Sequence, residues 1–489
     1  MAGRRTEAIF LLFLLQIAAF CDSVTLSTNS RWIVDQATGK RVKLACVNWV
    51  SHLQPMIAEG LEKKPLSYIA RQIVATGFNC VRFTWATFMF TRPDYGKLTV
   101  SESLDKYGLK DAKAGLVKNN PQFLNMNVVE VHKAVVDELG KNKVMVVLDN
   151  HVSQPKWCCG GGDGNGFFGD AEFDPTEWLQ GLAAVAKTYK GNSTVVGMSL
   201  RMNCVATGKT RPTGLSYDTN LGFLKAKPLE VNLNNKLVYE AHWYSFGTPA
   251  DEWAAETNHL CGAAARTARD NYVFLTTGDN PFPLFLSEFG IDQRGVNEAD
   301  NRQLHAQRGT VNLEEVYGVN DLNWDRPRNP AFLDRLQLIR QLNQEPKTNS
   351  PTYYIMFHPQ SGQCVHIGKT NIIVLANCKT ASRWDQHQDG GTIKVVGSRQ
   401  CLGVAGDGKA ARVSDDCSSN GSKWKYVSAS GLHLGAQDGE GKYLCLERNA
   451  SDSTLVTKKC LCVGDNLVDF PTCADNPEVQ WFKLVPANV

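Results

Sequence analysis

"VMVVLDNH", residues 144–151, runs apolar for five residues and then turns abruptly polar. A run of aliphatic and β-branched residues with no alternating polar position reads as a strand buried on both faces, as in a parallel sheet. It follows "NVVEVHKAVVDELGKNK" (127–143), whose apolar residues recur at helical spacing. The same grammar extends in both directions. "KLACVNWV" (43–50), "NCVRFTW" (79–85), "TVVGMSLR" (194–201), "LVYEAHWYS" (237–245) and "LFLSEFG" (284–290) read as further strands. "LSYIARQIVATG" (66–77) and "TEWLQGLAAVAKTYKG" (176–191) read as helices between them. Strands alternating with helices imply parallel βαβ units. Polar residues gathered at the C-terminal ends of those strands imply a (β/α)8 TIM-type barrel with its site on that face. The expected barrel domain spans 24–341.

From about residue 351 the helical periods vanish and a motif returns three times. Each copy opens on a cysteine, at 364, 401 and 445, and closes on a tryptophan, at 384, 424 and 481. One such copy could not bury its own apolar face, so the three imply one closed all-β unit over 351–489. Cys364 with Cys378, and Cys401 with Cys417, could close short loops within copies. "LNQEPKTNSP" (342–351) reads as a connection, placing a linker at 342–350.

At 489 residues the chain exceeds one ordinary core. A net charge of +3 with scattered basic residues gives no electrostatic footprint for nucleic acid. Arg4 and Arg5 precede the short apolar run Ala8–Phe20 and then "CDS", the layout of a secretory leader over 1–23. The run is too short to anchor the chain in a bilayer, so no membrane attachment is expected after cleavage. Removing Cys21 from the 15 cysteines leaves an even number, which suits an oxidising compartment. The expected location is extracellular or in the cell wall, and Asn192, Asn420 and Asn449 begin glycosylation sequons. "GNGFFG" (164–169) has dinucleotide-loop spacing but follows no strand directly and opens no helix. It fits a loop bordering a cleft, with Trp157, Phe167 and Phe168 available for stacking, or a surface loop pinned by Cys158 or Cys159. Those two cysteines lack zinc spacing, and no metal is expected.

The strand ends carry Arg82, Asn150, His151, His242, Tyr244 and Glu288. One such residue is as readily a salt-bridge partner or a core histidine; several on one face imply a site. "NCVRFTW", "VVLDNHVSQPKWCC", "VYEAHWYSFG" and "PLFLSEFGIDQRG" resemble, in order, plant members of glycoside hydrolase family 5, the cellulase-type family. The resemblance covers roughly 25–340. It implies a retaining β-glycosidase acting on a β-glucan or β-mannan of the cell wall, with Glu288 as nucleophile. Tyr244 would orient that carboxylate, and Arg82, Asn150, His151, His242 and Trp49 would line the adjoining subsite, with Asn48 beside Trp49. No cofactor is implied, because two carboxyl groups suffice for the chemistry. The 351–489 repeats resemble a ricin-type β-trefoil lectin domain. Its sugar-binding acid would follow each opening cysteine, and only Glu447 in the third copy is acidic.

A retaining mechanism needs a second carboxyl as proton donor and base. In the family it closes the fourth strand in an Asn-Glu pair; here Arg201 is followed by Met202-Asn203-Cys204. No acid/base residue is found. Only residues 202–213 separate Arg201 from "GLSYDTN" (214–220), too few for a helix and a returning strand. The chain also passes from "GIDQRGVNEADNRQL" (290–304) to "EEVYGVNDLNWDRPRNP" (314–330) without a clear eighth strand. The expectation is therefore a barrel short of most of strand five and of strand eight, as skipped exons or a faulty gene model would leave it, with inefficient hydrolysis. The alternative is a non-catalytic carbohydrate-binding protein.

Overall fold

A computed structural model describes residues 25–157, 164–165, 170–201, 219–229, 233–244, 250–290, 318–346 and 351–489. The leader (1–23), Cys158, Cys159, Phe167, Phe168 and the segments around Met202–Cys204 and 291–317 lie outside the described residues.

The N-terminal part begins with a hairpin, β1 (Leu26–Asn29) and β2 (Trp32–Asp35). Six parallel strands follow: β3 (Cys46–Trp49), β4 (Cys80–Ala86), β5 (Met145–Val152), β6 (Val195–Ser199), β7 (Tyr239–Tyr244) and β8 (Leu284–Gly290). They form two sheets, β3-β4-β5-β6 and β7-β8, each parallel throughout. Every residue of β4 is buried, including Arg82 and Thr84 among its apolar neighbours.

Helix α1 (Leu66–Ala75) buries Leu66, Ile69, Ala70 and Ile73, a single stripe at 3.6-residue spacing. Helix α2 (Val128–Lys141) starts at a capping box, in which Asn127 and Glu130 satisfy each other's backbone amides. It presses Val131, Val135 and Leu139 into the core. Helix α3 (Pro175–Thr188) is capped by Asp174 and opens on Pro175, whose ring presets the helical φ. Helix α4 (Thr257–Asn271) lies between β7 and β8.

Among the described residues no ladder hydrogen bonds join β6 to β7 or β8 to β3. Residues 202–218, between β6 and β7, and 291–317, after β8, lie outside the described residues. What crosses the breaks is polar side-chain chemistry: Ser199 of β6 donates to Glu240 of β7 at 2.6 Å, and Arg82 of β4 reaches both Glu240 and Glu288.

The C-terminal part is built of antiparallel strands in one eight-stranded and one five-stranded sheet. Disulfides 364–378, 401–417 and 445–460 close loops of nearly equal span, one in each sequence repeat. The residues after the opening cysteines, Val365, Leu402 and Leu446, enter one shared core with Trp384 and Trp424. Trp481 differs: its indole nitrogen donates to Asn258 of α4 at 3.2 Å, so it serves the contact with the N-terminal part. Gly262 of α4 faces the Ala429 carbonyl so closely that a Cβ there would lie 2.3 Å from the oxygen. In the connecting segment Glu345 links the two parts: its carboxylate accepts from the Arg41 amide and its own amide donates to Asn488.

Cys46 and Cys80 are register partners on β3 and β4 and are disulfide-bonded. That bridge ties down the edge strand β3. Replacing both cysteines by alanine is expected to lower the free energy of unfolding by about 2–4 kcal/mol in urea titrations.

Candidate active site

The site begins with Arg82, whose guanidinium is buried in the middle of β4. Its Nη1 donates to Glu288 Oε1 at 2.7 Å and its Nη2 to Glu240 Oε1 at 2.9 Å. Asp149 Oδ1 lies 3.1 Å from Nη2, an ion pair without hydrogen-bond alignment. Three carboxylates from β5, β7 and β8 thus surround one cation. Burial alone would disfavour these charges, and their mutual attraction has to offset it. For Arg82 it does: desolvation works against the guanidinium, and the three carboxylates raise its pKa well above the ordinary value.

Two irregularities in strand register place the reactive groups. Ala241 pairs with Leu286 but His242 pairs with Glu288, so Ser287 is an extra residue on β8. Trp85 pairs with Asn150 but Ala86 pairs with Val152, which makes His151 the extra residue on β5. Such bulges re-aim side chains that strict alternation would point away. Ser287 and Glu288 consequently both engage the cluster: Ser287 Oγ donates to Glu240 at 2.5 Å, and Glu288 takes Arg82.

The two glutamates are held differently. Glu240 accepts from Arg82, Ser199, Ser287 and, at 3.3 Å, His242 Nε2. Burial opposes its ionisation, but Arg82 and His242 keep its pKa well below the usual carboxylate range. Its oxygens are taken up by the fold. Glu288 keeps Oε2 for Tyr244, whose hydroxyl donates at 3.0 Å, with His242 Nδ1 at 3.5 Å. Burial would raise the Glu288 carboxyl, yet His242, Arg82 and His151 outweigh it and bring the pKa to about 2. His242 is pushed the other way: desolvation lowers it, and Glu288 and Glu240 raise it to a net upward shift. Neither glutamate has a proton to give at neutral pH.

Trp49, Arg82, His151, His242, Tyr244 and Glu288 line one cavity of about 1010 Å³, open between β3 and β8. Asn150 does not line it. It is buried, accepting from Arg201 at 3.2 Å and donating to Thr87 at 3.1 Å. Its strand neighbour Asp149 faces the cluster instead, holding His151 Nδ1 at 2.6 Å. Successive residues of a strand face opposite ways, so the sequence could have separated these two. His52, unremarked in the sequence, stacks on His151 with ring centroids 4.0 Å apart. Burial, with His151 and Arg82 nearby, drives its pKa well below the ordinary value.

Trp49 is packed more deeply than a stacking platform would be, at 3% exposure, with its indole nitrogen on the Glu59 carbonyl. Beside it stands Trp324, ring centroids 6.4 Å apart. Trp324 lies over Gly60, where any Cβ would come within 2.5 Å of the indole. In the C-terminal part both oxygens of Glu447 are engaged, by Lys458 and Gln480 at 2.8 Å each.

No family model matches the chain. A glycosyl hydrolase 5 family protein of Chamaecyparis obtusa is 39% identical, covering 98% of this chain and 96% of its own length. The chain belongs to the glycosyl hydrolase 5 family. Members of this glycoside hydrolase family act on O-glycosyl bonds. The alignment runs over 539 positions against a chain of 489, so the Chamaecyparis relative carries residues with no counterpart here. An endoglucanase of Paenibacillus polymyxa is 23% identical over 177 residues, 35% of this chain and 38% of its own. Among solved structures, an endocellulase from Pyrococcus horikoshii (15% identity, TM-score 0.47) covers 65% of this chain and 99% of its own. The catalytic domain of the major endoglucanase of Xanthomonas campestris pv. campestris (19%, 0.46) covers 64% and 98%.

The ion cluster gives this glycosyl hydrolase 5 chain a bell-shaped stability profile. Glu288, with its pKa depressed, stabilises the fold fully above pH about 4.5 and loses that contribution as pH falls towards about 2. His242, shifted upward, contributes fully below pH about 6.5, and that part fades as pH rises through its folded-state pKa. Thermal melts are expected to peak between these limits, and Glu288→Gln should flatten the acid limb.

Proposed function

We propose that the cavity between β3 and β8 holds a cellulose-type β-glycan, with Glu288 as the retaining nucleophile and, among the described residues, no partner acid beside it. The observation that carries the reading is the contrast between the two glutamates. Glu288 is ionised and oriented by Arg82 and Tyr244 with an edge on the cavity, whereas every oxygen of Glu240 is committed to Arg82, Ser199, Ser287 and His242. Three carboxylates around the single guanidinium of Arg82 leave excess negative charge where an oxocarbenium-like centre would develop. Arg201, the residue before the expected Asn-Glu pair, is anchored on Asn150, Ser153 and the Asn165 carbonyl. That anchoring supports a strand end at which the sequence carries Met202-Asn203 rather than Asn-Glu.

In this reading the N-terminal part is a (β/α)8-type barrel lacking most of strands five and eight. The sheet breaks and the extra residues of the Chamaecyparis relative support it. The C-terminal part is a β-trefoil, supported by three equal disulfide loops around one core. Its third copy does not offer Glu447 to sugar, since that carboxylate is already paired. Five disulfides among the described residues, and no described helix long and apolar enough to cross a membrane, support a secreted protein.

A second reading, glycan binding without turnover, is favoured by the missing Asn-Glu pair. The two separate on purified protein. General acid–base groups contribute about 10²–10⁴-fold, so reducing-sugar release from β-glucan is expected to be slower by that factor than in a family member with both carboxylates. Glu288→Gln should abolish the residual release. Retention on a β-glucan column with no release before the substitution would support binding alone.

A further inference from the structure

We infer that this site transfers glycosyl groups from donors whose leaving group departs without a proton, such as β-glycosides of acidic phenols, and passes them to external anions. The inference rests on Glu288 being the nucleophile. It starts from the state of the groups around that carboxylate. Arg82 and Tyr244 hold it by one hydrogen bond on each oxygen, at 2.7 and 3.0 Å. His242 sits between the two glutamates, with Nε2 on Glu240 and Nδ1 towards Glu288. Asp149 is committed to Arg82 and His151. Each polar group bonded to Glu288 therefore stabilises the attacking carboxylate, and both neighbouring carboxylates are bound to the same guanidinium.

The two half-reactions differ in what they need. In the first, a Glu288 oxygen forms a bond to the anomeric carbon while the bond to the leaving oxygen breaks. An alkoxide leaving group must collect a proton as it goes; a nitrophenolate carries off the electron pair as a stable anion. In the second, water must lose a proton to a base before it can displace Glu288. Azide needs no base: it bonds to the anomeric carbon, and the pair of the breaking C–O bond returns to the Glu288 carboxylate. Two inversions give a β-glycosyl azide with net retention. A site with the nucleophile alone performs the first half-reaction on acidic leaving groups and then waits for an anion.

The test uses the full chain with 2,4-dinitrophenyl β-cellobioside. Expected are a burst of about one equivalent of phenolate and an intact-mass increase of one cellobiosyl group, mapped to Glu288. Sodium azide should then accelerate turnover and yield β-cellobiosyl azide, with cellotetraose cleaved at least about 10²-fold more slowly than the aryl glycoside. Tyr244→Phe should slow the burst without changing its stoichiometry, which guards against a Glu288→Gln variant that loses activity by unfolding. Cleavage of cellotetraose at a comparable rate, unaffected by azide but lost in Glu288→Gln, would overturn the inference and leave the nucleophile assignment standing. Retention of cellotetraose with no burst and no adduct would overturn both the inference and the nucleophile assignment, leaving glycan binding. Neither retention nor burst would overturn the proposed function as well.

Discussion

The buried guanidinium of Arg82 is the point on which the N-terminal part turns. Its strand belongs to the four-stranded sheet, and two of its carboxylate partners belong to the two-stranded sheet. Among the described residues no backbone ladder crosses from β8 to β3, and this ion cluster spans the gap. Removing one member of such a cluster strands the others as uncompensated buried charges, a penalty of about 3–5 kcal/mol. The groups that hold the sheets together are also those that orient Glu288, the proposed nucleophile, so stability and the proposed chemistry depend on the same contacts.

Much of this was legible in the sequence. The six parallel strands, the helices between them and the loops 364–378 and 401–417 follow from hydrophobic period and cysteine spacing. Glu288, Arg82, His151, His242, Tyr244 and Trp49 do come together on one cavity. Asn150 was expected there because it neighbours His151, and strand alternation turns it away. The bulges at His151 and Ser287 were not legible, because register is set by pairing between distant segments and leaves no mark in either strand alone. Trp324, late in the chain, carries no sequence signal that places it beside Trp49. Its contact with Trp49 depends on a left-handed backbone at Trp324 and on Gly60 leaving room beneath the ring.

The C-terminal repeats divide along a similar line. Their cysteine and tryptophan spacing announced three equivalent units, and Trp384 and Trp424 are buried in one core. The third tryptophan is equivalent to the others in sequence and different in use, and the acidic Glu447 has no acidic counterpart in the first two copies. Trp481 turns to Asn258 of the N-terminal part, and Glu447 is neutralised by Lys458 within its own sheet. Repetition specifies the scaffold, while contacts outside the repeat decide what each copy does.

If hydrolytic power here is limited by an absent proton donor, sensitivity to the leaving group exposes it. A series of aryl β-cellobiosides spanning a wide range of phenol acidity gives kcat/KM as a function of leaving-group pKa. Without assistance, negative charge accumulates fully on the departing oxygen, and the rate should fall steeply as the phenol becomes less acidic. A shallow or flat dependence would mean that some group in the protein protonates that oxygen, and would contradict the account.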